Sequence, residues 1–285
     1  MLPHGLSLET RKLEPEVEMS AKVPGVDLKP GDVLLMQGRG LVSDLIRLFN
    51  QGRYSHAAIY DGQNVVEMLS QGTSVNTLGK SSVPEARFVD VYRFVGSSGQ
   101  PLGSPELDAA PVLGRIKHYE TPPALYGYDQ IVLLALLCAT RREAHAALTP
   151  VQAQMLRCIL DSAADEIANL IHAGREPMIC SELVYRCYTE AGTPYAIVIR
   201  GADVPLMTSQ PPRWEDQSPE EIAFQQEATR FLLNYAVAKG HDVSTRAFAA
   251  AWTPASIVAA SATAPFVTPH DLETSPNLQI VGTLE

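Results

Sequence analysis

The chain is poor in cysteine. Its 285 residues hold four, Cys138, Cys158, Cys180 and Cys187, and no two form a C-x-x-C pair. The spacings of a zinc knuckle and of a dithiol redox centre are therefore absent. There is no H-E-x-x-H, which removes the common zinc-hydrolase helix, and no G-x-S-x-G elbow for a serine nucleophile. No metal or cofactor is expected. Long apolar runs are also missing: the longest strongly apolar stretch, Ile131 to Ala139, is nine residues, too short to cross a bilayer. Basic residues are scarce. Lys and Arg number 22 against 32 Asp and Glu, a net charge of −10. That argues against sequence-independent binding to nucleic acid and gives no general attraction to anionic membranes. Residues 1–20 carry Glu9, Glu14, Glu16 and Glu18 and no apolar core segment, so no signal peptide is read. A chain made in the cytoplasm is expected, and any passage to a cell envelope would need a route independent of a signal peptide.

What is present suits a globular protein, with 46% hydrophobic and 19% charged residues. Residues 1–23 read as an arm. Pro24-Gly25 and Pro30-Gly31 are turn signals, and 24–285 is expected to form one domain. Asp32 to Met36 reads as a buried strand, ended by Gly38 and Gly40. Leu41 to Phe49 has helical periodicity, with Gly52 as its stop. His56–Tyr60 and Val65–Leu69 read as a hairpin around Asp61-Gly62-Gln63-Asn64, and Phe88–Phe94 as a further antiparallel strand. From about 106 the pattern becomes helical. A weak helix over 106–120 is interrupted by Pro111, a very apolar one covers Tyr128–Arg142, and Thr149-Pro150 opens another that runs to about Ala173. Ser218-Pro219-Glu220-Glu221 is a capping box, and shorter helices fit 244–251 and 254–261. Leu278–Leu284 is strand-like. Cys138 and Cys158, in apolar helical patterns, are expected to be buried.

The chemistry centres on Cys180. Pro177 stands just before it, and Leu183, Val184 and Cys187 follow at helical spacing, with Gly192 as the stop. Cys180 thus falls in the first turn of a helix, where free N–H groups and the dipole favour a thiolate. Cys187 lies about 10 Å along the same helix by rise, too far to bridge. A nucleophilic thiolate needs a proton acceptor. His56, at the head of a strand, is the candidate. If Tyr60 faces Val65, residue 58 faces 67, and Glu67 becomes a diagonal neighbour of His56 on the same face. Read one at a time, the three are ordinary: a small core residue, a strand-end histidine, a strand carboxylate. Ser181 and Glu182 read as first-turn polar groups and His270 as a turn residue. His4, His118, His145, His172 and His241 have no paired context.

Pro30-Gly31-Asp32-Val33-Leu34-Leu35, Tyr54-Ser55-His56-Ala57-Ala58-Ile59-Tyr60, Val66-Glu67-Met68 and Ile179-Cys180-Ser181-Glu182-Leu183-Val184-Tyr185 resemble the permuted NlpC/P60 group of papain-like cysteine hydrolases, and within it the YiiX-like and LRAT-like branch. The order His, polar residue, Cys is that of the permuted members. The resemblance implies an α+β, circularly permuted papain-like fold, with an antiparallel sheet packed on the nucleophile helix. Helical segments at about 106–175 and 213–263 then read as insertions. It also implies Cys180 as nucleophile, His56 as base and Glu67 as the residue that orients it. Tyr128-Asp129 matches a Tyr-containing element of relatives, with Tyr126 and Tyr54 as alternatives.

Two substrate classes follow from the resemblance: acyl esters of membrane phospholipids, and peptide amides of the cell wall. The ester is the preferred expectation, with Leu133, Leu134, Leu136 and Leu137 either lining an acyl groove or forming core. Either activity would damage an envelope, so a delivered antibacterial toxin, with an immunity or delivery protein as partner, is an expected context. A non-catalytic binding module using the same cleft is the alternative of another class.

Overall fold

The computed structural model describes residues 28–120, 125–127, 130–140, 150–172, 176–200, 219–238 and 267–284. The expected arm, the helices at 244–251 and 254–261, and Tyr128-Asp129 lie outside them. The described chain is α+β. Six strands form one antiparallel sheet: β1 (Val33–Gln37), β2 (His56–Tyr60), β3 (Val65–Leu69), β4 (Gly72–Asn76), β5 (Phe88–Phe94) and β8 (Leu278–Leu284), in the order β4-β3-β2-β1-β5-β8. A separate parallel pair joins β6 (Leu125–Gly127) to β7 (Glu176–Met178). The helices are α1 (Leu41–Asn50), α2 (Ala110–Glu120), α3 (Gln130–Thr140), α4 (Pro150–His172), α5 (Cys180–Thr189), α6 (Pro219–Ala238) and the short α7 (Pro269–Glu273).

The strand at 33–36 is apolar throughout because both faces of the sheet are covered. Val33, Leu35, Ala57, Ile59, Val66 and Met68 join the main core with α5 and the helices. Leu34, Met36, Ala58, Val65, Val89 and Val91 form a smaller cluster on the opposite face. That face is closed by the loop carrying Leu78, Val83 and Ala86. The main core continues from the sheet through Leu183 and Val184 of α5 into α3, α4 and α6.

The hairpin has the expected register, with Ala58 opposite Glu67 and Tyr60 opposite Val65. Asp61 accepts hydrogen bonds from the backbone of Gln63 and Asn64, which fixes the turn. Other expectations shift. Gln51, not Gly52, holds the left-handed position after α1, at φ 54°. Gly52 is required by space instead: a Cβ there would stand 2.9 Å from the Cβ of His270. Pro111 does not interrupt a helix but lies in the first turn of α2, where its missing N–H costs nothing. The strand β4 was hidden in the polar run Gly72-Thr73-Ser74-Val75-Asn76, which sits at the sheet edge and needs no apolar face. Cys138 is buried as expected, but Cys158 is exposed on α4.

Candidate active site

Two contacts set α5 against β2. At its start, Cys180 lies beside His56, the first residue of β2. Near its end, the Tyr188 hydroxyl donates to the carbonyl of Gly31, whose own N–H donates to Tyr60, the last residue of β2. Eight helical residues rise about 12 Å and four strand residues about 13 Å, so the two spans match. The helix therefore runs along the strand and delivers its first residue to the strand's first residue. Gly31 is fixed by this packing: its φ is 91° and a Cβ would come within 2.3 Å of Leu102.

The three predicted side chains come together. His56 Nε2 and Glu67 Oε2 are 2.9 Å apart. Glu67 is wholly buried, and its other oxygen accepts the Ser82 backbone N–H at 3.0 Å. Cys180 acts on the ring by its charge and by a hydrogen bond. His56 is 4% exposed and Cys180 5%.

Burial alone would discharge the imidazole. The Cys180 charge and hydrogen bond, followed by those of Glu67, outweigh it and push His56 up to about 10. For Glu67, burial works against the charge, but the His56 bond and charge and the Ser82 bonds hold the carboxyl below its ordinary value. The imidazole thus stands between Cys180 and Glu67, both of which favour its charged form. Among the described residues no group of three or more His, Cys, Asp or Glu is arranged to hold a metal.

A cleft of about 770 Å³ opens on His56, between the end of the hairpin, the loop after β1 and the loop at Ser82–Ala86. Leu133, Leu134, Leu136 and Leu137 take no part in it. They are fully or almost fully buried in the core of α3, α4 and α6. Ser181 donates to the Val267 carbonyl at 2.7 Å and so ties α5 to the C-terminal segment. Glu182 is buried next to Arg186, and His270 caps nothing in the site but pairs with Glu273 at 3.1 Å. Ser82 was missed by the sequence. It contributes a backbone N–H, which any residue except proline carries, so no residue-type signal marks it.

No helix of the described residues is long and apolar enough to cross a membrane. No family model matches the chain. It is 27% identical over 187 residues to the probable lipoprotein peptidase YaeF of Escherichia coli (strain K12). The alignment takes in 65% of this chain and 64% of YaeF, so the chain spans less than two thirds of that relative's length. Among solved structures it is similar to metalloprotein yiiX from Escherichia coli O157:H7, at 15% identity and a TM-score of 0.39, over 89% of this chain and 96% of the other. A likeness that loose carries no argument. The similarity to YaeF is in keeping with the resemblance carried by the His, Glu and Cys motifs.

Proposed function

We propose that the protein is a cysteine hydrolase in which Cys180 is the nucleophile, His56 the proton carrier and Glu67 the group that orients it. The observation that carries this reading is the contact of His56 with both Cys180 and Glu67, drawn from a helix and two strands, with His56 lining an open cleft. With Nε2 engaged by Glu67, Nδ1 is left to serve the sulfur and the substrate. The sulfur attacks a carbonyl carbon, and the carbonyl electron pair moves to oxygen, where backbone N–H groups at the start of α5 can receive it. Collapse breaks the bond to the leaving group, which takes the His56 proton and departs. Water then attacks the thioester and gives a proton to His56. Expulsion of the sulfur releases a carboxylic acid and restores the starting pair.

The bond we assign is a peptide amide. The name of the relative, a probable lipoprotein peptidase, supports that class. The ester reading lost its residue-level support when the four leucines of α3 proved to be core, and the toxin context rests on chemistry alone.

The test pairs purified protein with peptidoglycan fragments and with phospholipid vesicles. New amine from the peptides, abolished by Cys180→Ala and reduced at least about 10²-fold by His56→Ala, is the expected result. Fatty-acid release without new amine would move the scissile bond to an ester. Turnover of neither substrate, with no labelling of Cys180 by iodoacetamide, would leave a binding module in place of an enzyme.

A further inference from the structure

The cleft beside His56 contains an arginine with no carboxylate in salt-bridge distance among the described residues. Arg39 lines it, on the short segment between Gly38 and the start of α1. Its side chain is exposed, and its hydrogen bond among the described residues is a long one, Nη2 to the Ala86 carbonyl at 3.5 Å. Several other arginines among the described residues are paired. Arg47 meets Asp44 at 2.8 Å, Arg53 meets Asp90 at 3.2 Å and Arg93 meets Asp32 at 2.7 Å. No such carboxylate partner stands within salt-bridge distance of Arg39 among the described residues, although Glu85 lines the same cleft. The chain has ten more acids than bases, yet Arg39 has no acid in pairing distance among the described residues and faces the cleft that His56 lines.

The rest of the wall is largely polar. Ser43, Ser70, Gln71 and Glu85 line the cleft, with Met36 and Leu69 the larger apolar contributors. Such a wall suits a ligand with polar groups along its length and offers little to an alkyl chain. A guanidinium presents planar, paired donors that match a carboxylate in two parallel hydrogen bonds.

We infer that Arg39 is a specificity determinant that receives a carboxylate of the substrate, so that the site selects acidic or carboxylate-terminated peptides over neutral ones. The inference rests on the reading of Cys180 and His56 as the reacting pair, and its test is chosen to separate the two. Cys180 is alkylated with iodoacetyl-Ala-Ala carrying either a free C-terminal carboxylate or a C-terminal amide. In each case the sulfur–carbon bond forms as iodide leaves, so no turnover is needed.

The expected result is a preference of about tenfold for the acid reagent, equivalent to about 1.4 kcal/mol. It falls toward parity in Arg39→Gln and is substantially kept in Arg39→Lys. The ratio between reagents is internal to each variant, so a general loss of folding cannot imitate the result. Equal rates with the two reagents in the unaltered protein would overturn the inference. So would an acid preference that survives Arg39→Gln, or a fall by the same factor with both reagents. Failure of either reagent to label Cys180, with labelling confined to other cysteines, would instead overturn the reading of the reacting pair itself.

Discussion

Burial opposes a charge on His56, but Cys180 and Glu67 outweigh it and raise the ring to about 10. This has a measurable consequence that needs no substrate. The imidazolium is present below about 10 and is lost as pH rises through that value. In Cys180→Ala one of the two raising influences is gone, while burial still opposes the charge. The ring of that variant, followed by NMR through its carbon-bound protons, is expected to titrate at lower pH than the unaltered protein. Glu67→Gln should move it in the same direction, since it removes a charge and weakens the bond at Nε2. A midpoint that stays near 10 in Cys180→Ala would mean that the sulfur does not act on the ring. The dyad of His56 and Glu67 was legible in the sequence because strand alternation and a two-residue-anchored turn fix the parity of a hairpin. Ser82, which holds the second oxygen of Glu67, was not, because it acts through the backbone.

At the scale of elements, the decisive piece is α5, pinned at both ends. Its beginning meets β2 at His56, and its end meets the Gly31 turn through Tyr188. Tyr188 is fully buried and its ring stacks on Phe94 at 5.0 Å between centroids. Tyr188→Phe keeps the stacking and removes the hydroxyl, leaving the Gly31 carbonyl short of a donor in a dry interior. A loss of about 1–3 kcal/mol in urea unfolding is expected, the cost of an unsatisfied buried polar group. No change in stability would show that the far end of α5 is not anchored there. The helix itself was legible from Pro177, the apolar spacing and Gly192, and it begins at Cys180. The anchor was not legible, because Gly31 and Tyr188 are distant in sequence and are joined only by tertiary packing. The same holds for Ser181: read alone it is a polar residue of a first turn, and only the returning C-terminal segment gives it the Val267 carbonyl. Where periodicity failed, the tertiary context had overridden it. Cys158 follows an apolar pattern, yet α4 turns that position outward while Leu156 and Leu160 face the core.

The whole molecule sorts its four cysteines into two environments, and that can be read in one experiment. Cys138 lies in the core between the helices, and Cys187 lies on the buried face of α5. Burial pushes both thiols up, well beyond their ordinary value. Thiolate is the reactive form, so both should be inert while the fold is intact. Cys158 is in water. Cys180 is nearly enclosed, yet it adjoins an imidazolium at the end of a cleft. A brief exposure of native protein to iodoacetamide, followed by peptide mass spectrometry, should modify Cys158 and Cys180 and spare Cys138 and Cys187. Urea should then open all four. His56→Ala is the informative variant: it should slow modification at Cys180 and leave the Cys158 rate as it was, because only Cys180 depends on a neighbouring cation. Equal slowing at both positions would trace the effect to a general change in the fold. Rapid modification of Cys187 in the native protein would place α5 away from the sheet, and with it Cys180 away from His56.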